Sequence, residues 1–162
     1  MNKLMSGVTL LLALLTTSFV DKNAKPGIGL SEGSSAPEFQ IDNLKSESLK
    51  GKKVLVSFWA AYDARSRVNN SLLAANLKKM TGDIELVSIG FDESSLIFEE
   101  TVRMEHLERS TQHHERNGKN SDIFRAYRLK EGFTNYLLDE HGVIIAKNLN
   151  PKELKELMSM NH

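Results

Sequence analysis

Asp63 and Ser66 stand three residues apart, directly after an apolar run over residues 54–59, where a strand is predicted to end and a helix to begin. A carboxylate in that place can cap the helix by accepting hydrogen bonds from its unpaired N–H groups, or it can act as a base or a ligand. A serine one turn later becomes a nucleophile only beside an activating base, and no histidine is close in the sequence. We interpret Asp63 as a helix cap, with base or ligand as the alternative, and Ser66 as a residue of the helix start.

The other residues that suggest a site are the histidines His106, His113 and His114, with Glu115. Imidazole and carboxylate groups are common metal ligands. An adjacent histidine pair in a charged segment is, however, commonly solvated. The glycines form no phosphate-binding motif, and no local signature of a Ser-His-Asp site is present. We expect no metal and no other cofactor, and a metal site in this histidine loop stays as an alternative.

Charge content disfavours one class of function, and cysteine content excludes another. The 162-residue chain has 21 Lys and Arg residues against 21 Asp and Glu residues, so its formal net charge is zero. Such a chain has no overall field that attracts nucleic acid, and we expect no nucleic-acid partner. The chain also contains no cysteine. Without a thiolate it cannot by itself attack a disulfide.

The N-terminus has the three-part layout of a secretory signal peptide, with Lys3, an apolar run over residues 8–15 and small residues after it. We predict a signal peptide over 1–20 and export to the periplasm or cell envelope. An uncleaved anchor is the alternative, and only then would the chain be held at a membrane. Residues 21–35 are polar and glycine-rich, which predicts a linker before a single domain over 36–162.

Apolar periodicity along this domain predicts an α/β fold. The run over 54–59 is expected to be a central strand buried on both faces. An apolar repeat at helical spacing predicts the helix that follows, with the residues Val68, Leu72, Leu73, Leu77 and Met80. In chain order the predicted elements are a hairpin over 36–49, the central strand, a helix ended by residues 81–83, a strand over 84–91, a helix begun by residues 92–95, a polar loop over 106–120, a short helix over 121–129, a hairpin of strands over 133–139 and 143–146, and a helix begun by Pro151.

The segment Phe-Trp-Ala-Ala-Tyr-Asp-Ala-Arg-Ser-Arg, residues 58–67, resembles the active-site segment of thioredoxin-like proteins of the TlpA and redoxin branch. In that family the segment is Phe-Trp-Ala-x-Trp-Cys-x-x-Cys-Arg. Tyr62 stands for the second tryptophan, and Asp63 and Ser66 fall on the two cysteines. The segments NYLLDEHGVIIAKN and NPKEL extend the resemblance over about residues 33–158. It implies one thioredoxin-like domain with a mixed central sheet flanked by helices and an N-terminal edge hairpin.

Phe133 falls where the resemblance places a cis-proline that faces the two cysteines. Thioredoxin-like enzymes use the backbone beside this proline to hold substrate chains by strand-like pairing. A residue other than proline strongly favours the trans form, by roughly 3 kcal/mol. We therefore expect a trans bond here, and a loop near Thr134 that takes a different path.

The resemblance implies a thiol-disulfide oxidoreductase, but a chain without cysteine cannot perform that reaction alone. We predict an exported, redox-inactive module of the cell envelope that binds a protein or peptide. The alternative from another class is a non-thiol enzyme that uses Asp63 or the histidine loop. The candidate binding surface extends over residues 62–67 and 133–135, and its candidate binding residues are Tyr62, Arg65, Arg67, Thr134 and Asn135. Exposed arginines at a helix start are often only solvated, so this surface is a hypothesis.

Overall fold

A five-stranded mixed sheet forms the centre of the computed structural model, which describes residues 26–80, 84–108 and 111–160. The predicted signal peptide over 1–20 lies outside the described residues, as do residues 81–83, which were expected to end the first long helix. Within the described ranges, no helix has the length and apolar character that crossing a bilayer requires.

The strands, numbered along the chain, confirm the predicted α/β topology. The large sheet has the order β5-β4-β3-β6-β7, with β3 at its centre. β3 pairs in parallel with β4 and antiparallel with β6, and β6 pairs antiparallel with β7. The predicted N-terminal hairpin forms a separate two-stranded sheet. The bounds are β1 Gln40–Ile41, β2 Leu44–Lys45, β3 Lys53–Trp59, β4 Ile84–Gly90, β5 Gln112–His114, β6 Asn135–Leu138 and β7 Ile144–Lys147.

Four α-helices lie between and after these strands in the described ranges: α1 Ala64–Leu77, α2 Ser95–Met104, α3 Asp122–Ala126 and α4 Pro151–Met160. Single 3-10 turns occupy Ser46–Leu49, Gly118–Asn120 and Leu129–Glu131. Side chains accept N–H groups at the starts of the helices, including Ser94 for α2 and Ser121 for α3. The structure confirms the prediction that Pro151 is the first residue of α4. Proline suits this position because it lacks the N–H group that the first residue of a helix leaves unpaired.

The prediction of a loop over 106–120 is wrong for its central part, which contains β5. Gln112 pairs with Ser88 of β4, and His114 pairs with Gly90. Both Gln112 and His114 are buried, and their polar side chains find partners inside the protein. A strand made of satisfied polar residues lacks the apolar alternation by which strands are recognised in a sequence.

The predicted helix α1 is confirmed, and its buried face contains a polar residue. Val68 and Leu72 are 51% and 48% exposed, whereas Asn70 is 1% exposed. Asn70 Oδ1 accepts a hydrogen bond of 2.6 Å from Ser88 Oγ of β4, and Asn70 Nδ2 donates to Gln112 Oε1 at 3.4 Å. Part of the contact between α1 and the sheet is therefore a buried polar network, and two apolar side chains of α1 face outward.

Residues 26–35, which composition assigned to a linker, contact the domain. Gly33 N donates to Ile144 O at 2.8 Å, and Ile144 N donates to Ser34 O at 2.9 Å. Ser35 also forms a bridge with Val143. These contacts use backbone groups along β7, so they leave no apolar pattern in the sequence.

Candidate functional site

The turn between β3 and α1 is fixed by Asp63 and Ser66. Ser66 N donates to Asp63 Oδ1 at 2.7 Å, which makes Asp63 the N-cap of α1. Ser66 Oγ donates to Asp63 O at 3.1 Å and accepts from Ala60 N at 3.4 Å. The predicted capping role is confirmed. The carboxylate and the hydroxyl therefore both help to close the turn.

We expect Asp63→Ala to lower the free energy of unfolding by about 1 kcal/mol, because the N–H of Ser66 loses its acceptor. Asp63→Asn, which keeps a side-chain oxygen at the cap, is the matched control and should change stability much less. Urea denaturation followed by circular dichroism measures both. Equal stability of the alanine variant and the wild type would contradict the capping role.

Asp92 holds the same turn from the other side. Ala61 N lies 3.0 Å from both carboxylate oxygens of Asp92, which is only 3% exposed. Burial raises the pKa of the Asp92 carboxyl, while the hydrogen bond from Ala61 and the charge of His114 act in the opposite direction. The sequence suggested Asp92 only as a helix cap, but Ser94 performs that role. An acidic residue directly after a buried strand was the available signal.

His114 lies in the protein interior and not in a solvated loop. Its ring stacks on Phe98 with centroids 4.5 Å apart, and its Nε2 is 2.5 Å from the backbone oxygen of Asp92. Among the described residues, no group of three or more histidine, aspartate or glutamate side chains is placed to hold a metal ion. The geometry gives His114 a role in packing β5 against α2.

A groove of about 670 Å³ runs along the outside of α1. Residues 133–135 form its floor, and the segment from Asn148 to Pro151 forms the wall opposite α1. Six residues of α1 line the near wall: Ala64, Arg65, Ser66, Val68, Asn69 and Leu72. The groove therefore begins beside the turn capped by Asp63 and continues along the helix for two turns.

Asn135 fixes the floor of the groove to the opposite wall. Its Nδ2 donates to Leu149 O at 2.9 Å, and Leu149 N donates to its Oδ1 at 2.9 Å. Asn69 Nδ2 also donates to Leu149 O, at 3.2 Å. Asn135 is 1% exposed. This candidate binding residue therefore shapes the groove through its amide, which is already paired on both sides.

Phe133 and Thr134 occupy the position of the family's proline loop. No peptide bond in the described ranges is cis, so the predicted trans bond at Phe133 is confirmed. Thr134 O accepts from Phe58 N at 3.0 Å, which attaches the loop to the end of β3. The Phe133 ring lies 5.7 Å from the Phe91 ring and 6.1 Å from the Tyr62 ring. Packing of this ring on the aromatic core gives the groove floor a fixed place.

Tyr62 and Arg67 lie beside the groove and do not line it. Tyr62 is 58% exposed, with Lys119 Nζ 5.2 Å from its ring centre. Burial of part of the ring raises the pKa of the Tyr62 phenol, with a smaller contribution from Asp92. Arg67 Nε is 2.7 Å from Glu105 Oε1. Of the five predicted binding residues, the structure brings three together in the groove: Arg65, Thr134 and Asn135.

Sequence reasoning missed Val68 and Leu72 as residues that line the groove. Their spacing assigned them to the core, because an exposed and a buried apolar stripe of a helix have the same period. The signal available was Asn70, a polar residue that interrupts the apolar pattern of α1. Its burial turns Val68 and Leu72 outward.

Comparison with known proteins gives several matches that extend over most of the chain, although no family model matches it. A crystal structure of a thioredoxin-like protein from Parabacteroides distasonis is 40% identical, with a TM-score of 0.75, and the match covers 83% of this chain and 99% of that chain. The C-terminal domain of a putative thiol-disulfide oxidoreductase from Bacteroides thetaiotaomicron is 29% identical, with a TM-score of 0.67, covering 85% of this chain and 97% of that one.

A curated protein of Bacillus subtilis, thioredoxin-like protein YneN, is 25% identical over 170 residues, which cover 97% of this chain and 95% of that protein. The solved structures share the mixed sheet and flanking helices described above. The match at 40% identity spans nearly the whole of the related chain. This chain therefore belongs to the thioredoxin-like family, and it is a member whose sequence contains no cysteine.

Proposed function

We propose that this protein is an exported, redox-inactive member of the family that binds an extended peptide or protein segment of the cell envelope in the groove along α1. The observation that carries the proposal is the groove itself, which lies against Thr134 and has two exposed apolar side chains, Val68 and Leu72, on one wall. The signal-like layout of residues 1–20 supports export.

An extended peptide suits this groove better than a small rigid ligand. The groove is open and runs along a helix, and its lining also contains the amide groups of Asn69 on α1 and of Asn148 on the opposite wall. Apolar anchors in a line, together with polar groups that can pair with a backbone, are the usual features of a peptide-binding surface. The hydrogen bonds of Asn135 fix the floor before binding, which reduces the entropy cost of association.

Catalysis at the turn has less support. Asp63 Oδ1 is committed to the Ser66 N–H, and Asp63 is not part of the groove lining. Ser66 Oγ is bonded to the backbone at Asp63 and Ala60. A thiol-disulfide reaction would need a sulfur nucleophile, which the chain does not have. Binding uses the groove as it is, whereas catalysis by Ser66 would compete with the hydrogen bonds that close the turn.

Selection of a random peptide library on the immobilised full chain tests the proposal. The selected peptides should bind the wild type and should lose binding to the double variant Val68→Glu/Leu72→Glu, because the variant places two charges on the apolar wall. The matched control is Leu96→Glu/Met104→Glu on α2, where the wild-type side chains are 71% and 68% exposed. It should bind as the wild type does.

Two results of the selection would contradict peptide binding in the groove. One is a selection that enriches no peptide, and the other is equal loss of binding in both double variants. In a parallel insulin assay with dithiothreitol, the protein should give the rate of the buffer control. A clear acceleration of insulin reduction would contradict the proposal that the protein is redox-inactive.

A further inference from the structure

The order of the side chains on the α1 wall of the groove indicates which side chains a bound segment presents to it. Arg65, Val68, Asn69 and Leu72 are at positions i, i+3, i+4 and i+7, so they form one stripe along the helix. The stripe begins with a cation and continues with two apolar side chains one turn apart. Val68 and Leu72 together form a single apolar surface.

Arg65 is the side chain of the groove that is open to a charged partner. The other charged side chain in the lining is Glu153, whose Oε2 accepts a hydrogen bond of 2.9 Å from Asn150 N at the start of α4. Arg65 is exposed, and the ion pairs within the described ranges join other side chains. Charge complementarity therefore favours an acidic group at the Arg65 end of the groove.

The rise along α1 from Arg65 to the middle of the apolar surface is close to the spacing of side chains on one face of a strand. The midpoint between Val68 and Leu72 lies five residues beyond Arg65, which is about 7.5 Å along a helix axis. In an extended chain, two residues whose side chains point the same way are about 6.6 Å apart. An acidic side chain on Arg65 and an apolar side chain on Val68 and Leu72 would thus be two positions apart.

We propose that the groove selects extended segments in which an acidic residue and a large aliphatic residue are two positions apart, with the acidic side chain at Arg65. This inference rests on the proposed function and specifies which peptides the groove binds. The aliphatic side chain supplies most of the affinity, because burying it removes apolar surface from water. The acidic side chain fixes the position of the segment along α1, since an exposed ion pair contributes less.

The test uses fluorescence anisotropy with the full chain and acetylated, amidated octapeptides. The parent peptides contain Glu-x-Leu or Leu-x-Glu in otherwise Ser, Thr and Ala sequences, so that both chain directions are sampled. Replacing Leu by Ser should weaken binding of the better parent by about tenfold or more. Replacing Glu by Lys should weaken it by roughly threefold to fivefold at low salt, and by less at high salt.

A charge exchange with Arg65→Glu separates this pairing from a general effect of charge. The variant should lose affinity for the Glu peptide and bind the Lys peptide better than the wild type does. The matched control is Arg116→Glu, which reverses an exposed arginine outside the groove and should leave the preference for Glu unchanged. Binding of the Lys peptide by Arg65→Glu is expected only if residue 65 lies opposite the Glu or Lys of the peptide.

Three results would overturn the inference while leaving the proposed function in place: peptides that bind equally with Glu or Lys, an unchanged preference in Arg65→Glu, or binding that follows a free C-terminal carboxylate when the amide is removed. If no octapeptide binds and the library selection is also empty, the proposed function fails together with it. If library peptides bind and Glu-x-Leu peptides do not, only the inference fails.

Discussion

Asn135→Ala is expected to lower the free energy of unfolding by about 2–3 kcal/mol and to weaken peptide binding in the groove. The substitution removes both hydrogen bonds between the Asn135 amide and the backbone of Leu149, and it leaves the N–H of the buried Leu149 unpaired. A lost hydrogen bond with a buried unsatisfied partner costs about 1–3 kcal/mol. Urea denaturation measures the stability, and peptide anisotropy under folding conditions measures the binding.

The control for this variant is Asn69→Ala, which removes one longer hydrogen bond to the same Leu149 carbonyl. It should cost less than about 1 kcal/mol, because Leu149 O keeps the bond from Asn135. Similar stability of the two variants would show that Asn135 does not hold the segment from Asn148 to Pro151. Full binding by a destabilised Asn135→Ala would show that the groove floor need not be fixed.

The difference in unfolding free energy between Asp92→Asn and the wild type should depend on pH. Burial raises the pKa of the Asp92 carboxyl above its ordinary value of 3.8, so the folded state holds this proton more tightly than the unfolded chain does. The resulting stabilisation is fully present below pH 3.8 and is lost as the pH rises through the raised pKa. The unfolding free energy of the wild type, minus that of Asp92→Asn, should therefore fall as the pH rises from 3.8 towards neutrality.

Asp92→Ala provides the second arm, since it removes both acceptors of the Ala61 N–H. We expect a loss of about 1–3 kcal/mol at neutral pH and faster hydrogen exchange at Ala61. Asp92→Asn keeps one oxygen that can accept from this N–H. The Ala61 amide hydrogen should therefore exchange more slowly in Asp92→Asn than in Asp92→Ala. A difference between wild type and Asp92→Asn that grows with pH would contradict the burial argument.

The sequence predicted the parts of the fold that have local signals. Residues 54–59 are apolar except for Ser57 and form most of the central strand β3. Pro151 begins α4, and Asp63 caps α1, because helix starts are chosen by one or two adjacent residues. The family resemblance added the mixed character of the central sheet, which apolar periodicity alone does not determine.

The features that the sequence did not predict depend on contacts between distant residues. Asp92 bonds to Ala61 across 31 positions, and Asn70 bonds to Gln112 across 42 positions. Whether a polar side chain is buried depends on such a partner, which no local pattern contains. The exposed positions of Val68 and Leu72 follow from the burial of Asn70. For the same reason the groove could not be predicted, although Arg65, Thr134 and Asn135 were each candidates.

Chemical-shift mapping of the ¹⁵N-labelled full chain with the better-binding octapeptide tests the central claim most directly. We predict saturable changes of the amide signals at residues 64–72, 133–135 and 148–150, which surround the groove. We predict no comparable change in α2, where Leu96 and Met104 are also exposed and apolar. Saturable changes confined to α2, or spread over the surface without a focus along α1, would contradict the account.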